Sequence, residues 1–556
     1  MNNENLIPIP GRLHSVATEG HVTGADEVYD DNLGITLDQL STKHASTGTT
    51  GDYPYNGMGR IFLKKNMVNG VCTLTQAMMQ ATNTIYVIQY DFTLGGNITV
   101  PANCVLEFDG GSISASGSND TITGTNTGIN AGLVKIFSTD VTLSGSWNVA
   151  EAYPEWFGAK GDGVTDDASA INCALLYFNC VILSAKSYTI GSVDNDGIGI
   201  RIPAYRTLRG IYHDENLSKA ASVIMIKQGI NYTSVISITG KNCTLEDFSV
   251  RGWDIDGVET ACVSTNDGYS RCTLNRINVA GTYYGFNLQL YLTTMTHCNA
   301  SYCNIGFYIH GSSVHYTTFT AICCYACDCR LRGHYWRYMT YSSLINCACD
   351  SGGVPTSGAI DNNTELGYAY YFHTCDSINV ISCGHEKCLR SIYCNLAKGI
   401  SFKNCNFLVS KHPNTTFDEN FVLQDIVNIR YSDSVEIDKC YFAMGDVTSV
   451  FTDTTRLILL YGETTSSKLL IYNILAAGYI KLSNINAQGT VTVWKNLKYI
   501  DDRYAPSTTQ GGRPTFNSAY EKAYYRGFMF FDESLTPARP IWWTGSAWVD
   551  ATGAQV

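Results

Sequence analysis

The sequence predicts an all-β chain wound as a parallel β-helix solenoid, with a short helix capping its N-terminal end and small β modules on either side. Three observations predict it. The composition suits short strands and turns, strand-like segments recur at irregular intervals, and a glycine-rich turn leads into one short amphipathic stretch.

The 556 residues are 45% hydrophobic but only 15% charged, and they include 50 glycines and 36 tyrosines. Such a composition favours many short strands joined by turns. A net charge of −12 and the lack of any basic run argue against nucleic acid, whose phosphates call for concentrated Lys and Arg. No apolar segment is long enough to cross a bilayer, so membrane insertion is not expected. The first residues, MNNENLIPIPGRLH, lack the charged-then-apolar pattern of a secretory signal, so synthesis and retention in a cytoplasm are expected.

The repeat is carried by segments of one shape: an apolar residue, two mostly polar ones, then an apolar residue or cysteine. They begin at Leu245, Leu274, Met295, Phe319, Leu344, Val380, Phe402 and Ile437, at separations of 29, 21, 24, 25, 36, 22 and 35 residues. A second series runs Gly257-Val258, Gly285-Phe286, Gly306-Phe307 and Gly333-His334, read as coil turns. Irregular repeats of this length without helical periodicity are coils of a solenoid, stacked about 4.8 Å apart. Equivalent inward residues then form ladders. Cys298, Cys347, Cys383, Cys405 and Cys440 are assigned to one ladder beside Phe248, Ile277 and Ile322.

This explains the 21 cysteines, 17 of which lie between Cys243 and Cys440. An odd number without a signal segment does not suggest a disulfide framework. Free cysteine is a small, easily buried hydrophobe that suits a crowded interior. Cys324, Cys327 and Cys329 lack the paired CxxC spacing of a zinc site, so no metal and no other cofactor is expected.

The stretch Gly158-Ala-Lys-Gly-Asp-Gly-Val-Thr-Asp-Asp167 looks chemical but fails each chemical template. A phosphate loop needs GK[ST], whereas Lys160 precedes Gly161. A dinucleotide loop needs a third glycine where Asp166 stands. A calcium loop starting at Asp162 has Val164 at position 3 and Cys173 at position 12. Downstream, Ile171, Ala174, Leu175 and Phe178 fall on one face of a short helix. Thr165 or Asp166 is expected to cap it, with Asp166 and Asp167 complementing its dipole. Val181–Leu183 and Tyr188–Ile190 read as the first strands beyond it. Gly158, Gly161, Asp162, Gly163, Asp166 and Asp167 are thus a structural cap motif over the end of the solenoid.

Trp156-Phe-Gly158-Ala-Lys-Gly161-Asp-Gly163-Val-Thr-Asp166-Asp167, followed by Ala170-Ile171, resembles the opening motif of the pectate-lyase-like right-handed β-helices. That family includes bacteriophage tailspikes and tail fibres, polysaccharide lyases and hydrolases. The chain departs from the usual pattern at Ser184-Ala-Lys-Ser187, where the family commonly has Pro-x-Gly before the tyrosine. Residues 84–110, TIYVIQYDFTLGGNITVPANCVLEFDG, resemble a module ahead of such helices in phages of gut Bacteroidales, crAss-like phages among them. The end, from Gly527 through Trp548, resembles a small terminal module of phage and prophage tail proteins.

The resemblance implies a virion tail protein that contacts host-surface glycan as a structural or receptor-binding component, with a polysaccharide depolymerase as the alternative. It further implies a homotrimer, attachment to other virion proteins through the N-terminus, and assembly in the host cytoplasm. The expected division is a virion-attachment segment (1–52), a small β-rich module (53–150), the parallel β-helix (151–470), a β-rich connector (471–500) and a C-terminal β module (501–556). A secreted bacterial lyase is disfavoured by the phage-like ends.

Cleavage of a glycan needs paired carboxyl groups. Asp254, Asp256 and Glu259 are the catalytic candidates, with Trp253 beside them as a sugar-stacking residue, although a turn role suits Asp256-Gly257 better. Trp542, Trp543 and Trp548 are either a glycan-binding platform or a small core, and the alternation of a short strand favours the core. Asp328 and Asp350 flank ladder strands and are read as solvated, and His310, His315, His334 and the pair His385-Glu386 as ordinary residues near coil turns.

Overall fold

The strand-and-turn composition is realised as parallel coils. The computed structural model describes residues 59–444 except 118–119, 212–220, 253–259, 266–267, 353–366, 411–422, 424 and 433. It also describes residues 526–556 except 528, 533–534 and 538, and short strands between 29 and 36 and between 456 and 499. Strand follows strand with parallel pairing between equivalent segments, so the chain is a right-handed parallel β-helix. The described residues fall into two compact units that divide between Asn278 and Val279.

The first unit begins with coils of its own. Gly59–Phe62, Thr84–Ile88, Val105–Phe108 and Thr121–Asn130 pair in parallel, burying Ile85, Val87 and Val105. Asn83, Asn103 and Asn126 hold left-handed φ values of 49°, 57° and 52° at the same corner of successive coils. Their side chains form a ladder: Asn103 Nδ2 donates to Asn83 Oδ1 at 3.2 Å, and Asn126 Nδ2 to Asn103 Oδ1 at 2.9 Å. Asparagine tolerates this backbone region better than other side chains, which explains its use here.

The GAKGDGVTDD stretch is architectural, as its failed spacings imply. Asp167 is fully buried and turns its carboxylate back on the loop, accepting the amides of Lys160 (2.7 Å), Gly161 (3.1 Å) and Thr189 (3.3 Å). Asp162 accepts the amides of Val164 and Thr165 and the Thr165 hydroxyl at 2.7–2.9 Å, bonds that hold its carboxyl down at about 2. The helix spans Ala168–Tyr177. Of the two expected caps, Asp166 accepts the first helical amide, Ala168 N, at 3.1 Å and also Gly191 N at 2.8 Å. Thr165 is committed to Asp162 instead. Ile171, Ala174 and Leu175 are buried, and Phe178 packs against the rings of Trp147, Trp156 and Phe157.

Strands Cys180–Leu183 and Ser187–Ile190 follow. At the departure from the family pattern, Ser184 and Tyr188 (2.8 Å) donate hydroxyl bonds to the buried Glu155, which also pairs with Lys186 at 3.0 Å. A buried polar network thus stands where the Pro-x-Gly turn would be.

Each coil of the second unit has three strands. On the first face, Thr293–Thr296, Phe319–Ile322, Met339–Ile345, Asp376–Ile381, Lys398–Lys403 and Val435–Asp438 stack in parallel. The second face runs from Asn299–Ser301 through Tyr325–Cys327, Ala348–Asp350 and Gly384–Cys388 to Asn406–Val409 and Tyr441–Met444. The third face is the candidate site described below.

The pairing corrects one repeat. Ala321 stands opposite Met295 and Leu344, whereas Phe319 stands opposite Thr293. The cysteine ladder is therefore continuous through Cys298, Cys324, Cys347, Cys383, Cys405 and Cys440, and Ile322 lies outside it. A two-residue shift leaves Phe319 and Ala321 on the inward side, so their alternation could not detect the slip; Ile322 faces outward, and the bend at Cys323 returns Cys324 to the interior.

The residue before each of these cysteines has left-handed φ: His297, Cys323, Asn346, Ser382, Asn404 and Lys439, all between 50° and 55°. This single residue bends the chain from the first face to the second. Its strain is offset by an amide bond to the neighbouring coil, as from Cys323 N to Ile345 O and Asn346 N to Ile381 O at 2.9 and 3.0 Å. Cysteine suits the next position because its thiol donates weakly to carbonyls bent away from the ladder. Cys405 Sγ lies 3.4 Å from Lys403 O and 3.6 Å from Val380 O.

The glycine-aromatic pairs also differ from expectation. Gly285-Phe286, Gly306-Phe307 and Gly333-His334 lie inside strands, not at turns. Glycine is required there by close packing, since a Cβ at Gly333 would stand 2.4 Å from Cys349 Sγ. Gly257-Val258 falls outside the described residues.

Candidate functional site: a tyrosine and arginine face

The third face of the second unit stacks Ile305–His310, Arg332–Arg337, Tyr368–His373, Arg390–Asn395 and Asp425–Arg430 in register. Alternation along each strand sends successive residues to opposite sides. Phe307, His334, Tyr370 and Ile392 point inward and are buried. The next residue of each strand points outward, forming a half-buried column of Tyr308, Tyr335, Tyr371 and Tyr393. Arg332, Tyr368, Arg390 and Asp425 flank it on one side. His310, Arg337, His373, Asn395 and Arg430 flank it on the other.

The rings of this column are packed against one another. Tyr308 and Tyr335 are stacked with centroids 4.6 Å apart, and Tyr371 and Tyr393 with centroids 4.3 Å apart. Tyr335 and Tyr371 meet edge to face with centroids 4.8 Å apart, and the Arg332 guanidinium lies beside both, 4.7 Å and 4.3 Å from the two ring centroids. Arg390 covers Tyr368 at 5.2 Å, Arg337 covers Tyr338 at 4.9 Å and Arg430 covers Tyr393 at 5.8 Å. His310 stacks on Tyr308 at 4.3 Å. The ring faces are thereby occupied, and the column offers hydroxyl-bearing edges framed by guanidinium groups.

The column three residues ahead of the tyrosines alternates half-buried arginines with buried groups: Tyr368 donates its hydroxyl to the buried Asp425 at 2.5 Å. Among the described residues no carboxylate pairs with Arg337 or Arg390. Burial pushes the Tyr335 phenol up to about 12. It also lowers the His310 and His373 imidazoles, with Arg337 adding to the effect in both and Arg332 in His373. Its described residues present phenol hydroxyls and guanidinium N–H donors, groups suited to hydroxyl-rich or anionic partners. No cluster of metal-ligating side chains occurs among the described residues, and none of their helices is long and apolar enough to cross a membrane.

Trp253, Asp254, Asp256 and Glu259 lie outside the described residues. In the C-terminal module three antiparallel strands bury Trp543 and Trp548 with Phe530 and Ile541. Trp542, half-buried, stands opposite Met529 and Val549. His334 and His385 are buried within strands, contrary to the expectation of turn residues; His385 Nε2 lies 2.7 Å from Ser391 Oγ. Asp350 and Glu386 occupy paired positions on adjacent coils of the second face, where Asp350 accepts the Tyr325 hydroxyl at 2.7 Å and the Glu386 amide at 2.9 Å.

The tyrosine column was missed in the sequence although it leaves a signal. Phe307-Tyr-Ile-His310, His334-Tyr-Trp-Arg337, Tyr370-Tyr-Phe-His373 and Ile392-Tyr-Cys-Asn395 share one pattern: an inward ring or aliphatic group, tyrosine, an inward residue, then a polar nitrogen-bearing side chain.

No protein-family model matches the chain, and no curated protein sequence matches it. Several solved structures align with part of the chain. The A-module of mannuronan C-5 epimerase AlgE6 from Azotobacter vinelandii aligns at 14% identity and TM-score 0.36, over 62% of this chain and all of that one. The gp42 tailspike of Acinetobacter phage vb_AbaP_AS12 aligns at 14% identity and TM-score 0.42, over 66% of each chain. The enzymatically active domain of tailspike protein 2 of bacteriophage CBA120 aligns at 12% identity and TM-score 0.41, over 59% of this chain and 43% of that one. At these identities the likeness is one of fold alone.

Proposed function

We propose that the protein is a component of a bacteriophage tail, a tailspike or tail fibre, whose β-helical body contacts a glycan of the host cell surface. The tyrosine–arginine face carries this reading. It is a polar aromatic strip repeated on consecutive coils of a stiff scaffold, a form suited to a polymer of repeating units. The resemblance of the capping motif and of both ends of the chain to phage proteins supports the virion assignment. A homotrimer, attached to the particle through residues 1–52 and assembled in the host cytoplasm, belongs to the same reading, as does the five-part division of the chain.

The test is direct binding. Surface polysaccharides extracted from a panel of Bacteroidales strains are titrated against the full-length protein by calorimetry. Strain-dependent binding that weakens when Tyr335 and Tyr371 are replaced by alanine is expected. Failure to bind any of them would remove the glycan-contact reading.

A depolymerase is the second reading, favoured by the adjacent carboxylates of Asp350 and Glu386. Strands pair about 4.8 Å apart, near the roughly 5 Å between carboxyl groups in double-displacement glycosidases. New reducing ends, abolished by Asp350→Asn and by Glu386→Gln, would establish this activity. Intact polysaccharide after prolonged incubation with a protein that binds it would exclude it.

A further inference from the structure

We infer that Cys349 and Cys388 are a modification site, a buried thiol pair that peroxide oxidises to a disulfide stapling two adjacent coils of the β-helix. The staple does not depend on what the outward faces contact.

A missing side chain creates the pair. At the corner that leaves the second face, Tyr302, Asp328, Ser351 and Lys387 hold left-handed φ values of 51–55°. The residues after them form an inward ladder of Cys303, Cys329, Gly352 and Cys388, whose cysteines are buried. Amide bonds from Asp328 N to Asp350 O at 3.0 Å and from Ser351 N to Glu386 O at 2.9 Å fix its register. Gly352 leaves one rung without a side chain. Cys388 and Cys349, the latter from strand Ala348–Asp350, meet there with their sulfurs 3.8 Å apart. A Cβ at Gly352 would stand 2.9 Å from Cys388 Sγ and 3.5 Å from Cys349 Sγ, so a larger residue would crowd both thiols. A disulfide is about 2.05 Å long, so the sulfurs need to approach by roughly 1.8 Å.

The pair also has a base beside it. His385 stands directly opposite Cys349 in the strand pairing and is buried. Its Nε2 lies 2.7 Å from Ser391 Oγ, and its Nδ1 is buried without a hydrogen-bond partner. Donation from Nε2 to the Ser391 hydroxyl leaves the Nδ1 lone pair for the Cys388 proton. The Gly352 amide donates to Cys388 Sγ at 3.2 Å, a contact that favours the thiolate. Burial opposes ionisation of Cys388, but the Cys349 thiol and His385 outweigh it and hold the group below its ordinary value. The thiolate is the form that attacks an oxidant.

Access selects the oxidant. Both cysteines are fully buried, which excludes bulky thiol reagents. Hydrogen peroxide is uncharged and little larger than water, and the corner residues next to the pair, Gly352 and Lys387, are half-buried and exposed. The Cys388 sulfur attacks one peroxide oxygen, the O–O bond breaks, and the departing hydroxide takes the proton held by His385 and leaves as water. Cys388 is then a sulfenic acid, which condenses with a neighbouring thiol. The Cys349 sulfur attacks it, the S–O bond breaks, and hydroxide leaves with the Cys349 proton as a second water. Each sulfur loses one electron and each peroxide oxygen gains one.

The link joins residues 39 positions apart, across the 36-residue interval from Leu344 to Val380 that is the longest between repeat segments. A cross-link restrains the unfolded chain more as the loop that it closes grows. It also ties the strand of Asp350 to that of Glu386.

For the test, the full-length protein is purified under reductant, freed of it and exposed to hydrogen peroxide. It is then unfolded, alkylated, digested and read by mass spectrometry. Two peptides joined through Cys349 and Cys388 are expected, two hydrogens lighter than their sum and separated by dithiothreitol. The melting temperature should rise by a few degrees over that of the reduced protein. Cys349→Ser should stop at the Cys388 sulfenic acid, trapped with dimedone, and Cys388→Ser should leave Cys349 unmodified. His385→Gln should slow oxidation of Cys388 about tenfold or more. Thermal melts of the reduced variants establish that they fold. Recovery of both cysteines as alkylated thiols, from parent protein whose partly exposed Cys323 and Cys327 have been oxidised, would overturn the inference. A link from Cys388 to a different cysteine would overturn it as well. An unchanged rate in His385→Gln would overturn the role of His385 as base.

Discussion

His334 lies ring-parallel to Phe307 in the interior of the β-helix, with centroids 4.8 Å apart and planes 4° from parallel. The stack continues from Phe286 through Phe307 and His334 to Tyr370, so an imidazole takes the place of a benzene ring in a buried aromatic column. Its Nε2 lies 3.1 Å from the Ala348 carbonyl, which can only accept, so Nε2 carries a proton and donates it. Burial lowers its proton affinity below the ordinary value of 6.5.

A stability change with pH follows. The folded-state value lies below the unfolded one, so the contribution of His334 is complete above about pH 6.5. It falls as the pH drops below that, by up to about 1.4 kcal/mol per pH unit. His334→Phe keeps the stack and removes the titration. Urea unfolding at pH 7.5 and 5.5 should show a smaller loss on acidification in the variant than in the parent. Equal losses would contradict the assignment.

The corrected ladder register makes a second prediction. Leu274→Ala and Phe402→Ala remove fully buried side chains and should each cost about 2–5 kcal/mol. Cys324→Asp places a charge among the buried thiols and should destabilise more than Ile322→Asp at the half-buried site two residues earlier. The reverse order in chemical denaturation would restore the register that places Ile322 in the ladder.

Thiol accessibility gives a third. All 21 cysteines are free, and five of them (Cys72, Cys173, Cys180, Cys323 and Cys327) are partly exposed while the rest are buried. A thiol reagent should modify no more than about five groups in the native protein and all 21 after denaturation. Elemental analysis should find no stoichiometric zinc. Slow native reactivity beyond the five, or bound zinc, would mean that the cysteines serve something other than packing.

The capping loop supplies a fourth. Asp167→Ala leaves three backbone amides without their acceptor and should cost about 2–3 kcal/mol. Asp167→Asn keeps one acceptor oxygen and should cost less. At the exposed Asp162, whose carboxyl sits at about 2 in the folded protein, the contribution is present above the unfolded value near 3.8. It is lost as the pH falls toward 2. Acid unfolding of Asp162→Asn should therefore be less steep between pH 4 and 2, as read by circular dichroism.

Much of the fold was legible because its signals are local. The helix after GAKGDGVTDD, the strands at 181–183 and 188–190 and most of the ladder follow from periodicity over a few residues. The slip at Phe319 marks the limit, since Phe319 and Ala321 both face inward and either can be aligned with Met295 until the pairing of the coils is seen. The site was less legible. Attention went to acids and tryptophans, whose chemistry is conspicuous in a string. A tyrosine repeated at 308, 335, 371 and 393 looks ordinary until the coils are stacked.

By itself the sequence determined the class of structure: all-β coils, cysteines packed inside, one capping helix, and no phosphate or calcium loop at the glycines. These depend on alternation, turn chemistry and spacing within single coils. Only the tertiary structure decided which residues of different coils share a face. Arg332 and Arg390 are 58 positions apart in the chain, yet they stand in one column. Their alignment is set by hydrogen bonds between strands, a non-local pairing that no short window of residues encodes.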